Sequence, residues 1–258
     1  MRTVAAQVGY LAARSVVRQV RQPAHVIPPI LFPLALLAVN AGGLHAATNL
    51  PGFPTDSFLA FALAIPFIQG ALFATLNGGA DLARDIQTGF LNRLSLTPLR
   101  GSALIAGHLS GVVVQGVFQA AVYLAVGLIV GVRLESGPLG AVVLLLLAAL
   151  IALGFGAFGT FVALRTGSGE ATQATFPIFF VFLFISSMNM PRNLIEADWF
   201  RTAATINPVS YLIEGVRSLI ITGWDWEALA LAFSIAIGFA VVALSLSAWA
   251  LKLRLTRT

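Results

Sequence analysis

The apolar positions along the chain form six long runs that contain no Asp, Glu, Lys or Arg. Each run exceeds the roughly 20 residues that an apolar helix needs to cross about 30 Å of hydrocarbon. A charge at the middle of a bilayer costs about 2.5–3.5 kcal/mol, so such clean runs are typical of membrane-spanning helices. We therefore predict an all-α membrane protein with six transmembrane helices in a single transmembrane domain, residues 1–258. The predicted spans are 24–46, 57–80, 102–130, 138–163, 172–190 and 228–251.

The composition agrees with this pattern. Hydrophobic residues make up 58% of the chain, charged residues only 10%, and the mean hydropathy is +0.91. A soluble domain carries about 25% charged residues, so the soluble classes are nearly excluded. A transmembrane barrel needs segments of about ten residues that alternate in polarity. The runs here are continuous, as at 144–150, which disfavours a barrel.

The remaining charges predict an orientation. Eleven of the fifteen Lys and Arg residues fall on the side that holds both termini, whereas seven of the ten acidic residues fall on the other side. Basic loops stay in the cytoplasm, so we place both termini there, in a multi-pass protein of the cytoplasmic (inner or plasma) membrane. The sequence pI of about 10.7 then reflects topology, and we expect no nucleic-acid partner.

Two segments on the predicted cytoplasmic side are amphipathic without being long enough to span. Residues 2–22 carry Arg14, Arg18 and Arg21 on one helical stripe, which indicates an interfacial helix with its arginines toward lipid headgroups. Residues 81–101 hold a second, shorter amphipathic helix. Its apolar positions at helical spacing are Phe90, Leu91 and Leu94, and Pro98 is expected to end it. An exposed apolar face needs a cover, and a partner protein is the sharper expectation, with lipid headgroups as the alternative.

The largest predicted external connection is 191–226. Asn207 and Pro208 are a strong helix start, because Asn caps free backbone donors and Pro suits the first turn. Gly223 is a good stop. Apolar residues line one face of the intervening segment, while Glu214 and Arg217 lie on the other. The resulting helix is too short to span, and we expect it to dip into the outer leaflet.

The chain carries little chemistry of its own. It has no cysteine, and its three histidines have no metal-ligand spacing, so we expect no metal site and no catalytic residues. The glycines of 154–159 match a dinucleotide fingerprint but lie inside an uncharged span, so we interpret them as packing residues, like Gly107 and Gly111. A phosphate-binding loop needs Gly-Lys-Ser/Thr, yet the single lysine, Lys252, stands between two leucines. Uphill transport would therefore need energy from another subunit.

The layout resembles the membrane (permease) subunits of ATP-binding-cassette transporters, type 2 exporter class, over essentially the whole chain. Two segments carry the resemblance. Residues 90–101 (FLNRLSLTPLRG) look like the family's Gly-x-Leu-Glu-x-Leu-x-x-Thr-Pro-x-Arg pattern, with Asn92 where the family usually has an acid. Residues 207–220 (NPVSYLIEGVRSLI) look like its Asn-Pro-x-x-Tyr-x-x-Glu-x-x-Arg pattern.

The resemblance implies a coupling helix between spans two and three and two short external re-entrant helices, over 191–223, before span six. It also implies a second permease copy, as a homodimer or with a similar heterodimer partner, and a cytoplasmic ATP-binding subunit that holds ATP and magnesium. The chain itself would not be an enzyme. The residues carried over as the ATPase contact are Phe90, Leu91, Arg93, Leu94, Thr97, Pro98 and Arg100. The residues carried over as the external helix and gate are Asn207, Pro208, Tyr211, Glu214 and Arg217.

The family exports amphiphiles such as drugs, lipids and glycans. Span five offers aromatic and then polar side chains, which suits an apolar ligand body with a polar head; ordinary lipid-facing phenylalanines are the alternative. The candidate pathway residues are Phe176, Phe179, Phe180, Ser186, Ser187 and Asn189. Two other functions stay open. The chain could be a non-transport scaffold or channel, or a membrane-embedded enzyme acting on lipid, for which His108, Asp81 and Asp85 are the nearest candidates.

Overall fold

A computed structural model describes residues 4–21, 23–95 and 101–255, and within these ranges it contains helices and no strands. The all-α prediction is confirmed for this part of the chain. The helices are α1 (Val4–Val20), α2 (Pro23–Gly43), α3 (Phe58–Ala62), α4 (Ala64–Gln87), α5 (Phe90–Ser95), α6 (Gly101–Ile129), α7 (Gly137–Thr166), α8 (Gly169–Gln173), α9 (Phe176–Phe184), α10 (Asp198–Ile206), α11 (Pro208–Ile221) and α12 (Trp226–Leu255). Two 3-10 turns lie at His45–Asn49 and Arg192–Leu194.

Five helical stretches are long and apolar enough to cross a membrane. They are Val26–Gly43, Phe58–Gln87, Gly101–Ile129, Gly137–Thr166 and Trp226–Leu255. These correspond to the first, second, third, fourth and sixth predicted spans. The second stretch runs beyond its predicted end at residue 80, so the first residues of segment 81–101 continue α4 rather than forming a loop.

The predicted fifth span, 172–190, is not one continuous helix. It consists of the short helices α8 and α9, which meet at a turn before Phe176–Pro177 and end at Phe184. Pro177 has no N–H and cannot donate to the carbonyl of Gln173 four residues earlier, which accounts for the break. The apolar stretch Gly169–Phe184 would span only about 24 Å at 1.5 Å per residue, less than the hydrocarbon core.

Helix α7 is the centre of the bundle and packs against α4, α6 and α12. The glycines of 154–159 make this possible, because each meets a different neighbour. A Cβ atom on Gly154 would lie 2.8 Å from Phe239 of α12, and one on Gly156 would lie 2.5 Å from Val112 of α6. A Cβ atom on Gly159 would lie 2.2 Å from the Thr75 carbonyl oxygen of α4. The packing interpretation of this motif is therefore confirmed.

Helix α1 packs against α6 through the other small-residue pair. A Cβ atom on Gly107 would lie 2.3 Å from Leu11 Cβ, and one on Gly111 would lie 2.1 Å from Ser15 Oγ. Part of the polar face of α1 contacts protein, although contact with lipid headgroups was expected. Two of its arginines, Arg14 and Arg18, form ion pairs with Asp81 and Asp85 at the end of α4.

Replacing Gly159 with alanine tests the central packing. We expect Gly159→Ala to destabilise the protein by about 1–3 kcal/mol, because the new methyl group meets backbone that cannot move aside. The matched change Gly238→Ala lies in α12 with nothing within 4 Å of its Cβ position, and it should stabilise the helix by up to about 1 kcal/mol. Thermal unfolding in detergent measures both; shifts of the same sign and size would contradict this account of the packing.

Candidate functional site

A groove of about 390 Å³ lies between α2, α4 and the α8–α9 pair. Two aromatic side chains and two proline rings make up half of its lining residues, and the amides of Asn77 and Gln173 supply polar groups. Such a combination suits a ligand with an apolar body and a polar part. The lining residues are Pro28, Pro29, Phe73, Leu76, Asn77, Ala80, Gln173 and Phe176.

A chain of aromatic contacts closes the groove between three helices. The ring of Phe73 lies 5.6 Å from that of Phe176 and 6.1 Å, edge to face, from that of Phe32. Phe32 in turn lies 6.2 Å from Phe180. These contacts join α2, α4 and α9, so any movement of α9 changes the shape of the groove.

The structure brings together only part of the predicted pathway set. Phe176 lines the groove and Phe180 contacts its aromatic wall. Phe179 is directed toward α7, where its ring lies 5.1 Å from that of Phe155. The Ser186 hydroxyl donates to the carbonyl of Leu183, in the last turn of α9.

The other two polar pathway residues are Ser187, which contacts α11, and Asn189. The backbone N–H of Ser187 donates to Ser210 Oγ at 3.1 Å, and Ser187 is fully buried. Asn189 is half-buried. Neither residue is among those that line the groove.

Helix α11 begins at the predicted Asn-Pro pair. The Asn207 side-chain oxygen accepts a 2.9 Å hydrogen bond from the Val209 N–H, and Pro208 occupies the first turn. The Asn207 amide nitrogen also donates to the carbonyls of Phe182 and Ile185, each at 2.6 Å. The Asn207 side chain therefore caps the N-terminus of α11 and also donates to two carbonyls at the end of α9 that lack a helical donor.

Arg217 is the most unusual side chain on α11, because it is 7% exposed and reaches no carboxylate among the described residues. Its guanidinium donates to the carbonyls of Phe61 at 3.1 Å, Ser187 at 3.1 Å and Met188 at 3.0 Å. It also lies 3.5 Å from the centre of the Phe61 ring. Burial lowers the pKa of Arg217 to about 9, which leaves the side chain largely protonated near neutral pH. Arg217 thus joins the end of α3 to the turn after α9.

The neighbouring residues of the motif form a second polar cluster. Glu214 accepts two hydrogen bonds from Arg192, at 2.8 and 2.6 Å, and the Arg192 guanidinium lies 4.5 Å from the centre of the Tyr211 ring. Tyr211 donates to the Thr205 carbonyl at 2.8 Å. Glu214 and Arg217 both line an open cavity of about 500 Å³ at this end of the bundle.

The predicted coupling residues lie at the opposite end, where the structure describes three of the seven side chains. Phe90 is half-buried beneath the Arg14 guanidinium, 3.9 Å from its ring centre, and Arg93 is exposed. Leu91 is only 3% exposed and packs into the bundle rather than toward a partner. The side chain of Leu94 and all of Thr97, Pro98 and Arg100 lie outside the described residues.

An ion-pair cluster fixes this end of the bundle. Asp85 accepts from Arg14 at 3.0 and 3.1 Å and from Arg18 at 3.0 Å, while Arg18 also pairs with Asp81 at 3.2 Å. Asp81 is nearly buried, so its charge needs this partner. The cluster joins α1 to the end of α4 immediately before α5.

Comparison with known proteins now identifies the family. A model of the ABC-2 type transporter membrane family matches residues 6–221. The chain belongs to this family. The permease is 28% identical over 209 residues to the daunorubicin resistance ABC transporter permease protein DrrB1 of Streptomyces coeruleorubidus, covering 77% of this chain and 69% of the relative. It is also 28% identical over 216 residues to a protein of Pyropia yezoensis named as transport permease ycf38, covering 81% and 72%.

Sequence reasoning placed the expected pathway of the permease on span five alone and missed the side chains that α4 contributes to the groove. Gln69, Phe73 and Asn77 recur every four residues, so they share one helical stripe. Gln69 is fully buried, and Phe73 and Asn77 line the groove. The signal was available, because uncharged polar residues at helical spacing inside an apolar run mark an inward-facing stripe.

Truncating Arg217 tests its role as a structural joint. Arg217→Met would leave three buried carbonyls without their donor, and we expect the permease to lose about 3 kcal/mol or more. Arg201→Met removes the same group from an exposed side chain that pairs with Asp198, and should cost less than about 1 kcal/mol. Thermal unfolding of the two purified variants provides the comparison. Equal losses would show that Arg217 does not hold the two helix ends.

Proposed function

We propose that this chain is the transmembrane permease subunit of an ATP-driven exporter that moves an amphiphilic molecule across the cytoplasmic membrane. The observation that carries the proposal is the groove between α2, α4 and α9, with aromatic walls and amide side chains, in a chain of the ABC-2 family. The named drug of the Streptomyces relative, daunorubicin, belongs to the same chemical class as the expected substrates, which also include lipids and glycans.

In the proposed topology the chain crosses the membrane six times with both termini in the cytoplasm. The α8–α9 pair makes the short fifth crossing, continued by the turn that Arg217 and Asn207 hold. Helices α10 and α11 then lie at the outer face as re-entrant helices, and the open cavity beside Glu214 is the external exit. A second permease copy, identical or similar, completes the pathway.

Energy enters at the opposite end from a separate cytoplasmic ATP-binding subunit, which holds ATP and magnesium. Helix α5 is the coupling helix in this proposal. Because Leu91 faces the bundle, the partner contacts the outward side of α5 at Arg93 and the edge of Phe90. A push on α5 reaches α4 directly, and it reaches α1 through Arg14, which covers Phe90 and pairs with Asp85.

Truncating a groove residue tests the pathway in cells. Cells expressing the permease with its ATP-binding subunit should accumulate less of at least one amphiphilic drug from a panel that includes daunorubicin. Phe73→Ala removes the ring that joins two sides of the groove and should restore most of the accumulation. Phe118→Ala is the matched control, since Phe118 is 52% exposed on α6 and does not line the groove. Full export activity in the Phe73→Ala variant, at normal protein levels, would contradict the proposed pathway.

Reversing a charge on α5 tests the coupling assignment. Arg93→Glu should weaken co-purification with the ATP-binding subunit and reduce transport-linked ATP hydrolysis, because an exposed charge at a contact changes complementarity without disturbing the core. Arg133→Glu makes the same change on an exposed residue between α6 and α7 and should have no effect. An intact complex with the Arg93 variant would remove α5 from the docking surface.

A further inference from the structure

The groove ends at Phe73, but the polar stripe of α4 continues beyond it. Gln69 lies one turn further along the same face as Phe73 and Asn77. It is 1% exposed and lies in the interior of the second span. The stripe therefore leads from the groove into a sealed part of the bundle.

Two carboxamides in that sealed region have no hydrogen-bond partner. Both polar atoms of the Gln69 side chain and both of the Gln119 side chain on α6 are buried and unpaired among the residues that the structure describes. Gln119 is 0% exposed. Burying an amide without a partner costs about 1–3 kcal/mol even in a protein interior, and a bilayer offers no water to relieve it. Gln119 Oε1 lies beside Gly70, the residue next to Gln69 in the chain, so the two unpaired amides are near enough in the structure to serve one ligand.

Helix α2 covers this region through one hydrogen bond. Gly70 leaves room for α6, since a Cβ atom there would lie 3.2 Å from Gln119 Oε1 and 3.1 Å from Tyr123 Oη. The Tyr123 hydroxyl donates to the Pro29 carbonyl of α2. Pro33 has no N–H, so the carbonyl four residues earlier has no helical donor, and Tyr123 supplies one. Pro29 also lines the groove, and Tyr123 lies beside Gln119 at Gly70, so the Tyr123–Pro29 hydrogen bond connects the groove wall to the region of the glutamines.

The chemistry of the pair restricts what it can bind. A carboxamide is neutral and offers both a donor and an acceptor. The runs 57–80 and 101–132 contain no charged residue that could pair with an ionic head. An uncharged group with both donors and acceptors, such as a hydroxyl-bearing or glycosyl head, matches two carboxamides, whereas a cation or anion would lie unpaired in the membrane.

We propose that Gln69 and Gln119 form a polar subsite for an uncharged, hydroxyl-rich head of the transported amphiphile. The inference rests on the proposed export function and names the substrate class for the same pathway. The apolar part of the molecule lies against Phe73 and Phe176, and the head reaches the glutamines when α2 separates from Tyr123. The unpaired amides make the closed arrangement less stable and favour opening toward such a head.

Binding of two matched probes tests the subsite. The full-length permease, with its ATP-binding subunit in lipid nanodiscs, is titrated with two fluorescent decyl probes, one with a neutral glucosyl head and one with a quaternary ammonium head. Gln69→Met and Gln119→Met should each raise the Kd of the glucosyl probe about tenfold, the effect of losing one well-placed hydrogen bond, and leave the ammonium probe within about twofold. Gln87→Met makes the same change on an exposed side chain at the end of α4 and should alter neither Kd.

A substitution that removes the hydrogen bond between α6 and α2 should have the opposite effect on affinity, and it serves as the control for misfolding. Tyr123→Phe removes the bond to Pro29 and should lower the Kd of the glucosyl probe several-fold, an increase in affinity that damaged protein cannot show. If the methionine variants bind neither probe, the Tyr123→Phe variant distinguishes misfolding from loss of the subsite. An unchanged Kd of the glucosyl probe in Tyr123→Phe then overturns the subsite.

The failures are distinguishable. If wild type binds both probes and the glutamine variants bind the glucosyl probe equally well, the subsite is wrong while the groove stands. If wild-type permease binds neither probe, the amphiphile pathway itself is contradicted, and the subsite with it.

Discussion

The structure depends on one constraint: backbone N–H and C=O groups inside a bilayer must form hydrogen bonds within the protein, because no water is available there. Helical hydrogen bonding in the permease is nonetheless broken at three places: at Pro33 within α2, before Ala64 and after Phe184. At each interruption a side chain from another helix binds the freed carbonyls. Tyr123 binds that of Pro29, Arg217 those of Phe61, Ser187 and Met188, and Asn207 those of Phe182 and Ile185. Each of these side chains therefore forms a joint, that is, a hydrogen-bonded connection between two parts of the helical bundle at a break in helical hydrogen bonding.

These joints link the two ends of the molecule to the groove. Arg217 and Asn207 belong to α11 and its cap, yet they hold α3 and the end of α9, so these three helices are expected to move together. At the other end, Arg14 and Arg18 hold α1 to α4 through Asp85. Helix α4 runs from one joint to the other and carries Phe73 and Asn77 along the way. A displacement at α5 thus has a continuous route through packed helix to the proposed exit.

The sequence predicted what charge and periodicity can report. Gaps between charges located five spans because a mid-bilayer charge is costly, and Asn207–Pro208 located the start of α11 because capping is local. Helical periodicity showed that α5 has an apolar face but could not show that Leu91 packs inward. Helical periodicity also placed Arg217 on the polar face of α11, although its side chain is buried and donates to three carbonyls that are distant in sequence. Hydropathy did not detect the break before Pro177, and counting charges overlooked Gln69 and Gln119.

The central claim is that this chain provides a pathway and that a separate subunit drives it. Vesicles containing the permease and its ATP-binding subunit, oriented with the ATP-binding face outward, test it most directly by uptake of a labelled amphiphile. The account predicts ATP-dependent uptake by the complex, and none by permease vesicles or ATP-binding subunit alone. ATP-driven uptake by the permease without its partner, or no uptake of any amphiphile by an ATP-hydrolysing complex, would contradict it.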